Sequence, residues 1–560
     1  MDTRRISAPT NGKPEHDAGE GRRRKPAISD RSMNENAPIK VQSAPETANE
    51  PHGDLKASAR ASARWSLVAA AVSGAVQVLR VCVLVRFLLE ADDFGLMALA
   101  VAVTYLASPL ADMGTMISLI HRQNASREEI SSLYWFNVAL GLALSLALCL
   151  LAPLLAQFFA EGRLTAVLRT AALTFAIDGF GLIFIFLLKR DLNFRLASII
   201  ETGALLAGTV VTFALALLDA GVWSLVIGLV VQSVVRTALA MTYGFAAYPV
   251  ALRLRVREFG VFLHFGKFQM AQTAIVRVSE RFDQVILGLF SGTTSLGLYS
   301  VANNLASIPV LHVLPVLGLP AVSMLSRAQA QGDDGRLARG YFLAAEMMMV
   351  INTSISFGLL AIAPTLVLLV LGSKWLAIIP ILQCLCVAAT WYAFYALSSA
   401  LLVAKGAGAL GLAWRLGLML VLVSAAVAGA RLGEAVGLAL AIAGVLTLAI
   451  VPFYWLVVRR LLGPSARQFS IAVGAPTAMA AVMAVIVKLS EHALAPLPLA
   501  VTVALQVLLG VGVFAGLLAA LRPAIARELV MIVPYARITN ALLSILDAVE
   551  GLRRSAGLSR

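Results

Sequence analysis

The 560 residues are 59% hydrophobic and only 14% charged, with a mean hydropathy of +0.84. A water-soluble globular domain runs near half apolar and a quarter charged, so this composition excludes one and implies a chain surrounded largely by lipid. The net charge of +14 does not indicate nucleic acid, because the excess lies in the leading tail and in alternate loops.

In chain order, residues 1–62 come first, rich in Pro, Ser, Asn, Glu and Arg, with a basic knot at Arg22-Arg23-Arg24-Lys25. They lack the apolar area to offset ordering entropy, which predicts a disordered cytoplasmic tail. The knot either stays solvated or touches anionic lipid. No apolar core follows a short basic start, so the tail is not a secretory signal.

The apolar run from Trp65 begins a series of predicted spans at 65–89, 94–119, 132–156, 165–188, 197–218, 222–247, 262–290, 297–325 and 341–364. A segment at 366–372 is expected to re-enter with 376–402, and spans follow at 408–429, 435–458, 469–488 and 497–521. About 20 helical residues cover a hydrocarbon core of roughly 30 Å. The predicted fold is therefore all-α and polytopic, with about 14 transmembrane helices. Alternate loops carry the basic residues: Arg122 and Arg127; Lys189, Arg190 and Arg195; Arg253, Arg255 and Arg257; Arg327, Arg336 and Arg339; Lys405; Arg459, Arg460 and Arg467. The positive-inside rule then puts these loops and both termini in the cytoplasm.

A weak internal repeat links Phe94-Gly95-Leu96 to Leu296-Gly297-Leu298, each opening a span that proline later interrupts, at Pro109 and at Pro309 and Pro315. Six spans separate the copies, so they point the same way and imply two parallel six-helix bundles, at 63–250 and 251–463. Two additional helices occupy 464–523, and 524–560 forms a cytoplasmic C-terminal tail.

Several chemistries fall away. Gly406, Gly408 and Gly411 have dinucleotide-loop spacing but lie between spans with no strand before them. Gly260 to Gly266-Lys267 has five intervening residues where a phosphate loop has four, and Phe268 where Ser or Thr is needed. Cys82, Cys149, Cys384 and Cys386 sit in apolar runs without a histidine cluster, which predicts neither metal nor redox cofactor. The outer loops are short, which leaves little chain for an enzyme's pocket.

Charges at membrane depth carry the most information, since each costs about 2.5–3.5 kcal/mol on insertion scales unless it faces a cavity or a partner. The span at 262–290 holds Arg277, Glu280, Arg281 and Asp283, the first three on one helix face. Two readings stay open: an ion-pair cluster that locks this helix to its neighbours, or a hydrated cavity whose arginines hold an anion. The first span adds Ser73, Gln77 and Arg80 on one face, so that Gln77 and Arg80 join Arg277 and Arg281 as candidate substrate-binding residues lining a shared cleft. Asp178, a lone carboxylate in mid-span, is the first candidate for ion coupling, with Glu280 and Asp283 beside it; a structural hydrogen bond is the alternative for Asp178.

Arg86-Phe-Leu-Leu-Glu90-Ala-Asp-Asp93-Phe94-Gly95-Leu96, Ala111-Asp112-Met113-Gly114, Gln123 to Glu129 and Trp135-Phe-Asn137 resemble the opening of polysaccharide-exporting flippases. Lys189-Arg-Asp-Leu-Asn-Phe-Arg195, Asp283 with Leu296-Gly-Leu-Tyr-Ser300, and Gly372-Ser-Lys-Trp375 fit the same pattern. These flippases belong to the multidrug/oligosaccharidyl-lipid/polysaccharide exporter superfamily. The resemblance covers about residues 64–460 and implies two bundles in a V around a central cavity. It implies alternating-access movement of an undecaprenyl-pyrophosphate-linked oligosaccharide from the inner to the outer leaflet of a bacterial inner membrane, coupled to a proton or sodium gradient. Arg80, Arg277 and Arg281 would hold the pyrophosphate. Membrane lipids, a polysaccharide polymerase and export machinery are the implied partners, with lipopolysaccharide O-antigen or exopolysaccharide as the product. The alternatives are a multidrug or small-cation exporter of the same superfamily and a membrane sugar polymerase. The polymerase would need a large loop with clustered acids or histidines; the six histidines are scattered.

Overall fold

A computed structural model describes residues 72–77, 79–80, 82–112, 119, 126–191, 193–248, 250–251, 256–308 and 324–531. Every described residue lies within 56–560. The tail expected at 1–62 and most of the tail expected at 524–560 lie outside the described residues.

Helical residues 72–77 lead into a π-helical turn, Leu84–Leu88. The helices that follow are α1 (Ala91–Asp112), α2 (Arg127–Phe158), α3 (Leu164–Arg190), α4 (Phe194–Ala216) and α5 (Val222–Ala247). Then come α6 (Val256–Phe290), α7 (Gly292–Ala306), α8 (Asp334–Val370), α9 (Ile378–Ala404) and α10 (Gly408–Leu448), with α11 (Ala466–Leu494), α12 (Leu499–Leu521) and α13 (Pro523–Met531) at the end. Polar side chains satisfy the free amides where helices start. Ser126 and Glu129 form a reciprocal capping box on α2, Asn193 caps α4, and Asp333 caps α8. No strand occurs among the described residues, and the chain is all-α as expected.

Ten of the described helical stretches are long and apolar enough to cross a membrane, against about fourteen expected. One of them, Gly408–Leu462, folds back on itself: Gly433 and Glu434 leave helical geometry, and Gly429 meets Gly437 across the turn. That turn falls between the expected spans 408–429 and 435–458. The expected re-entering segment is wrong. Helix α8 runs without a break from Asp334 to Val370, through Pro364, and α9 returns as a full span after a tight turn at 371–377. Proline is tolerated inside such helices because neighbours and local adjustment satisfy the freed carbonyl. Apolar side chains turned outward, such as Leu432, Leu448 and Leu218, give the bundle a lipid-facing surface in this multi-pass membrane protein.

Lipid offers no hydrophobic drive between helices, so close backbone approach does much of the packing. Helix α2 lies on α3 where Gly141 faces the Phe175 carbonyl and Gly179 faces that of Asn137. Helix α4 lies on α5 at Gly208 and Gly228. Helices α6 and α7 pack on α1, α9 lies between α8 and α10, and α11 and α12 pack on α8.

The α11–α12 pair is tied to α8 by an apolar cluster of Val350, Ala361, Met479, Met483, Phe514 and Leu518. Two polar fastenings flank it: Thr365 Oγ1 donates to Gln506 Oε1 at 2.8 Å, and Arg522 pairs with the buried Glu346 at 2.5 Å. Arg522→Ala leaves that carboxylate buried without its cation, and the loss should reach about 3 kcal/mol. The expected result is a lower unfolding temperature in detergent, with much of it regained by Arg522→Ala combined with Glu346→Leu.

Candidate functional site

The helix groups α1–α5 and α6–α10 meet along a seam at the end where α1 and α7 begin. A Cβ on Gly95 would lie 1.8 Å from the Thr293 carbonyl oxygen, and one on Gly297 would lie 1.7 Å from that of Ala91. Only a residue without a side chain allows this approach. The two contacts are equivalent, because 297 less 95 and 293 less 91 are both 202. The repeat read from sequence is thus a reciprocal contact in space.

Side chains complete the seam. The Thr293 hydroxyl donates to Asp92, whose other oxygen pairs with Arg163, and Arg163 also pairs with Glu161 at 3.1 Å. Asp92 and then Glu161, as hydrogen-bond acceptors, hold the Arg163 guanidinium above its ordinary value. Asp93 accepts from the Val222 amide at 3.1 Å, at the start of α5. The two groups also cap each other's helix ends. Trp375 Nε1 donates to the Val85 carbonyl at 2.8 Å and Lys374 Nζ to that of Leu89 at 3.2 Å, while Arg86 donates to the Leu369 carbonyl. Basic side chains at exposed helix carbonyls satisfy both the hydrogen bond and the helix dipole. Phe94 meets Trp375 edge-on at 6.0 Å.

Deeper in, a charged cluster joins α1 to α6. Tyr105 lies 14 residues past Ala91 and Arg277 lies 13 residues before Phe290, which places both about 20 Å from the seam end. The Arg277 guanidinium sits 4.1 Å over the Tyr105 ring and donates to its hydroxyl. Arg281 lies over the same ring at 5.0 Å. The Tyr105 hydroxyl donates to Glu280 Oε2 at 2.6 Å, whereas Arg277 and Glu280 are 3.5 Å apart. Arg277 Nε is buried without a partner. The cluster is not sealed: the side chains of Arg277 and Glu280 keep 34% and 47% of their accessible surface. Facing lipid, charged surface of that kind would cost about 2.5–3.5 kcal/mol per group on insertion scales.

The other sequence candidates fall elsewhere. Asp283 is buried and accepts from the Tyr299 hydroxyl at 2.7 Å. Asp178 is not a lone carboxylate: Arg236 pairs with it at 2.5 Å and Ser233 donates to it. Gln77 is exposed and Arg80 half-buried. Neither makes a hydrogen bond or ion pair with the Arg277 cluster among the described residues, and Ser73 on their face approaches Thr202 of α4 at 3.4 Å instead. The charged layer thus brings together Arg277, Glu280 and Arg281, with the buried Asp283 within electrostatic reach of Arg281, and leaves Arg80, Gln77 and Asp178 apart from it.

Sequence reasoning overlooked Tyr105, Arg236, Tyr299 and Glu346. Arg236 was open to the same depth argument as Asp178: each stands 14 residues past the start of its helix, Val222 and Leu164 respectively. Among the described residues no group of His, Cys, Asp and Glu could hold a metal ion, and the four cysteines are free.

The fold is shared with membrane transporters of known structure. The structure is similar to that of the lipid II flippase MurJ in its inward closed conformation, with a TM-score of 0.65, 13% identity, and 81% of this chain covering 97% of that one. It is also similar to an inward-facing multidrug resistance transporter of the MATE family, with a TM-score of 0.55, 17% identity, and 70% and 94% of the two chains covered. The family model described as "Polysaccharide biosynthesis protein" matches residues 83–380, and the chain belongs to that family. The lipopolysaccharide biosynthesis protein WzxC of Escherichia coli is 27% identical over 418 residues, 74% of this chain and 84% of that one. The succinoglycan biosynthesis transport protein ExoT of Rhizobium meliloti is 26% identical over 312 residues, 56% of this chain and 62% of that one.

Proposed function

We propose that this protein is a flippase that carries an undecaprenyl-pyrophosphate-linked oligosaccharide across the bacterial inner membrane, for a surface polysaccharide such as O-antigen or exopolysaccharide. The observation that carries this reading is the accessible pair Arg277 and Arg281, stacked on Tyr105 about 20 Å from the seam end. A sugar headgroup cannot cross hydrocarbon unaided. A hydrated cleft with two guanidinium forks can hold a diphosphate while the lipid tail stays in the bilayer. The names of the relatives, which concern lipopolysaccharide biosynthesis and succinoglycan transport, support a cargo of this class.

In this reading the bundles at 63–250 and 251–463 rock about the cleft, with the seam at the periplasmic face and both termini in the cytoplasm. Gln77 and Arg80 extend the cleft along the first span and reach the cargo as the bundles move. A coupling proton or sodium ion is better placed at Asp283 than at Asp178, whose charge Arg236 already balances. Glu280 is the remaining acid of the cluster and answers to its arginines. A polymerase and export machinery act on the cargo after release. A cationic drug or small cation as cargo would meet two guanidiniums and be repelled.

The test is reconstitution. Vesicles carrying the purified protein should expose a lipid-linked oligosaccharide on the opposite leaflet within minutes, as read by a membrane-impermeant sugar-modifying enzyme. Vesicles carrying Arg277→Ala with Arg281→Ala should show only the rate of protein-free vesicles. Equal exposure by both proteins would remove the cleft from the mechanism.

A further inference from the structure

Tyr105 belongs to α1 and the residues it holds belong to α6, so the cluster exists only while the two helix groups are together at this depth. Its hydroxyl takes the Glu280 carboxylate at 2.6 Å. Arg277 is left 3.5 Å from that carboxylate, beyond the 2.7–2.9 Å of a well-formed charge-assisted contact. Among the described residues Arg281 makes no hydrogen bond or ion pair; its guanidinium rests over the ring. Without Tyr105, Glu280 would close fully on Arg277, three positions before it on the same helix face, and take up its charge.

We propose that Tyr105 is a positioning residue that sets the anion affinity of Arg277 and Arg281 according to the state of the seam. With the seam closed, the hydroxyl holds Glu280 and one Arg277 nitrogen while the ring holds both guanidiniums, which leaves the Arg281 fork and the remaining Arg277 nitrogen available to a diphosphate. When α1 parts from α6, Tyr105 leaves, Glu280 falls back on Arg277, and the anion is expelled. Affinity is then high while the cleft loads from the end opposite the seam and low once the seam opens, the order that release on the far side requires. A ligand shifts an equilibrium toward the state it binds better, so bound cargo favours the closed seam, and the opening that releases it draws its free energy from the coupling ion.

This inference rests on the arginines being the anion site, and one experiment separates the two ideas. Binding of inorganic pyrophosphate to the purified full-length protein is measured by calorimetry for five proteins. Tyr105→Phe keeps the ring and loses the hydroxyl; it should bind roughly tenfold more weakly than the parent. Glu280→Gln should bind at least as tightly as the parent, and Tyr105→Phe with Glu280→Gln should recover the parent affinity. If the double variant stays as weak as Tyr105→Phe, or if Tyr105→Phe binds like the parent, the switch is refuted. Arg277→Ala with Arg281→Ala reports on the underlying site: parent-like binding there would refute the anion site itself, whatever the tyrosine does.

Discussion

Replacing Arg277 and Arg281 together with alanine should abolish polymer export in a strain that depends on this protein, while the chain still reaches the membrane in normal amount. A charge-assisted hydrogen bond is worth about 1.5–3 kcal/mol, so two guanidiniums contribute roughly 3–6 kcal/mol to holding a diphosphate. At 1.4 kcal/mol per factor of ten, the loss is on the order of a hundredfold to ten-thousandfold in affinity. Arg277→Lys should fall between parent and alanine, because lysine keeps the charge and loses the planar fork. The variant should also fold, since Tyr105 and Glu280 retain each other through the hydroxyl contact. Full export by the double alanine protein would return the cluster to the reading weighed against it from sequence: an ion-pair lock between helices.

The second large effect is expected at the seam. Gly95→Ala and Gly297→Ala each place a methyl carbon within 2 Å of a backbone oxygen on the facing helix, which no rotamer change can relieve. Overpacking a close contact costs about 1–3 kcal/mol. Here the cost falls only on the closed seam, so the seam-open state should gain roughly tenfold to a hundredfold in relative population. A cysteine at Thr293, in a background with Cys82, Cys149, Cys384 and Cys386 replaced by serine, should react much faster with a membrane-impermeant maleimide in either glycine variant. Export should fall in parallel. Because the two glycine contacts are equivalent, both substitutions should act alike. Unchanged labelling in both would mean that the seam opens elsewhere.

The parts of this architecture with a large energetic signature were readable from sequence. Charges in an apolar run are costly, and that cost marked Arg277, Glu280, Arg281 and Asp283 as a cluster needing partners. Loop charges likewise separated most of the helices. Tyr105 was invisible because a tyrosine in an apolar run carries no comparable penalty; its role arises only when α1 lies against α6. The repeat at Gly95 and Gly297 was visible as similarity, but similarity does not state which faces meet, and the reciprocal contact needed coordinates. The expected break between 364 and 366 is absent from the structure. Pro364 lies inside α8 and is accommodated, whereas Gly372, with φ of +90°, ends the crossing. Asp178 looked solitary because its cation lies 58 positions further on, in α5.

The two fastenings between α12 and α8 have a practical use. Arg522 directly follows the last residue of α12, 16 residues past Gln506, and Glu346 and Thr365 are 19 apart on α8, so the bolts stand about 24–28 Å from each other. A strut pinned at two such distant points cannot swivel, and α12 must tilt with whatever α8 does. A fluorophore or spin label on its outer surface would therefore act as a lever arm, reporting any movement of α8 from a place remote from the Arg277 cluster.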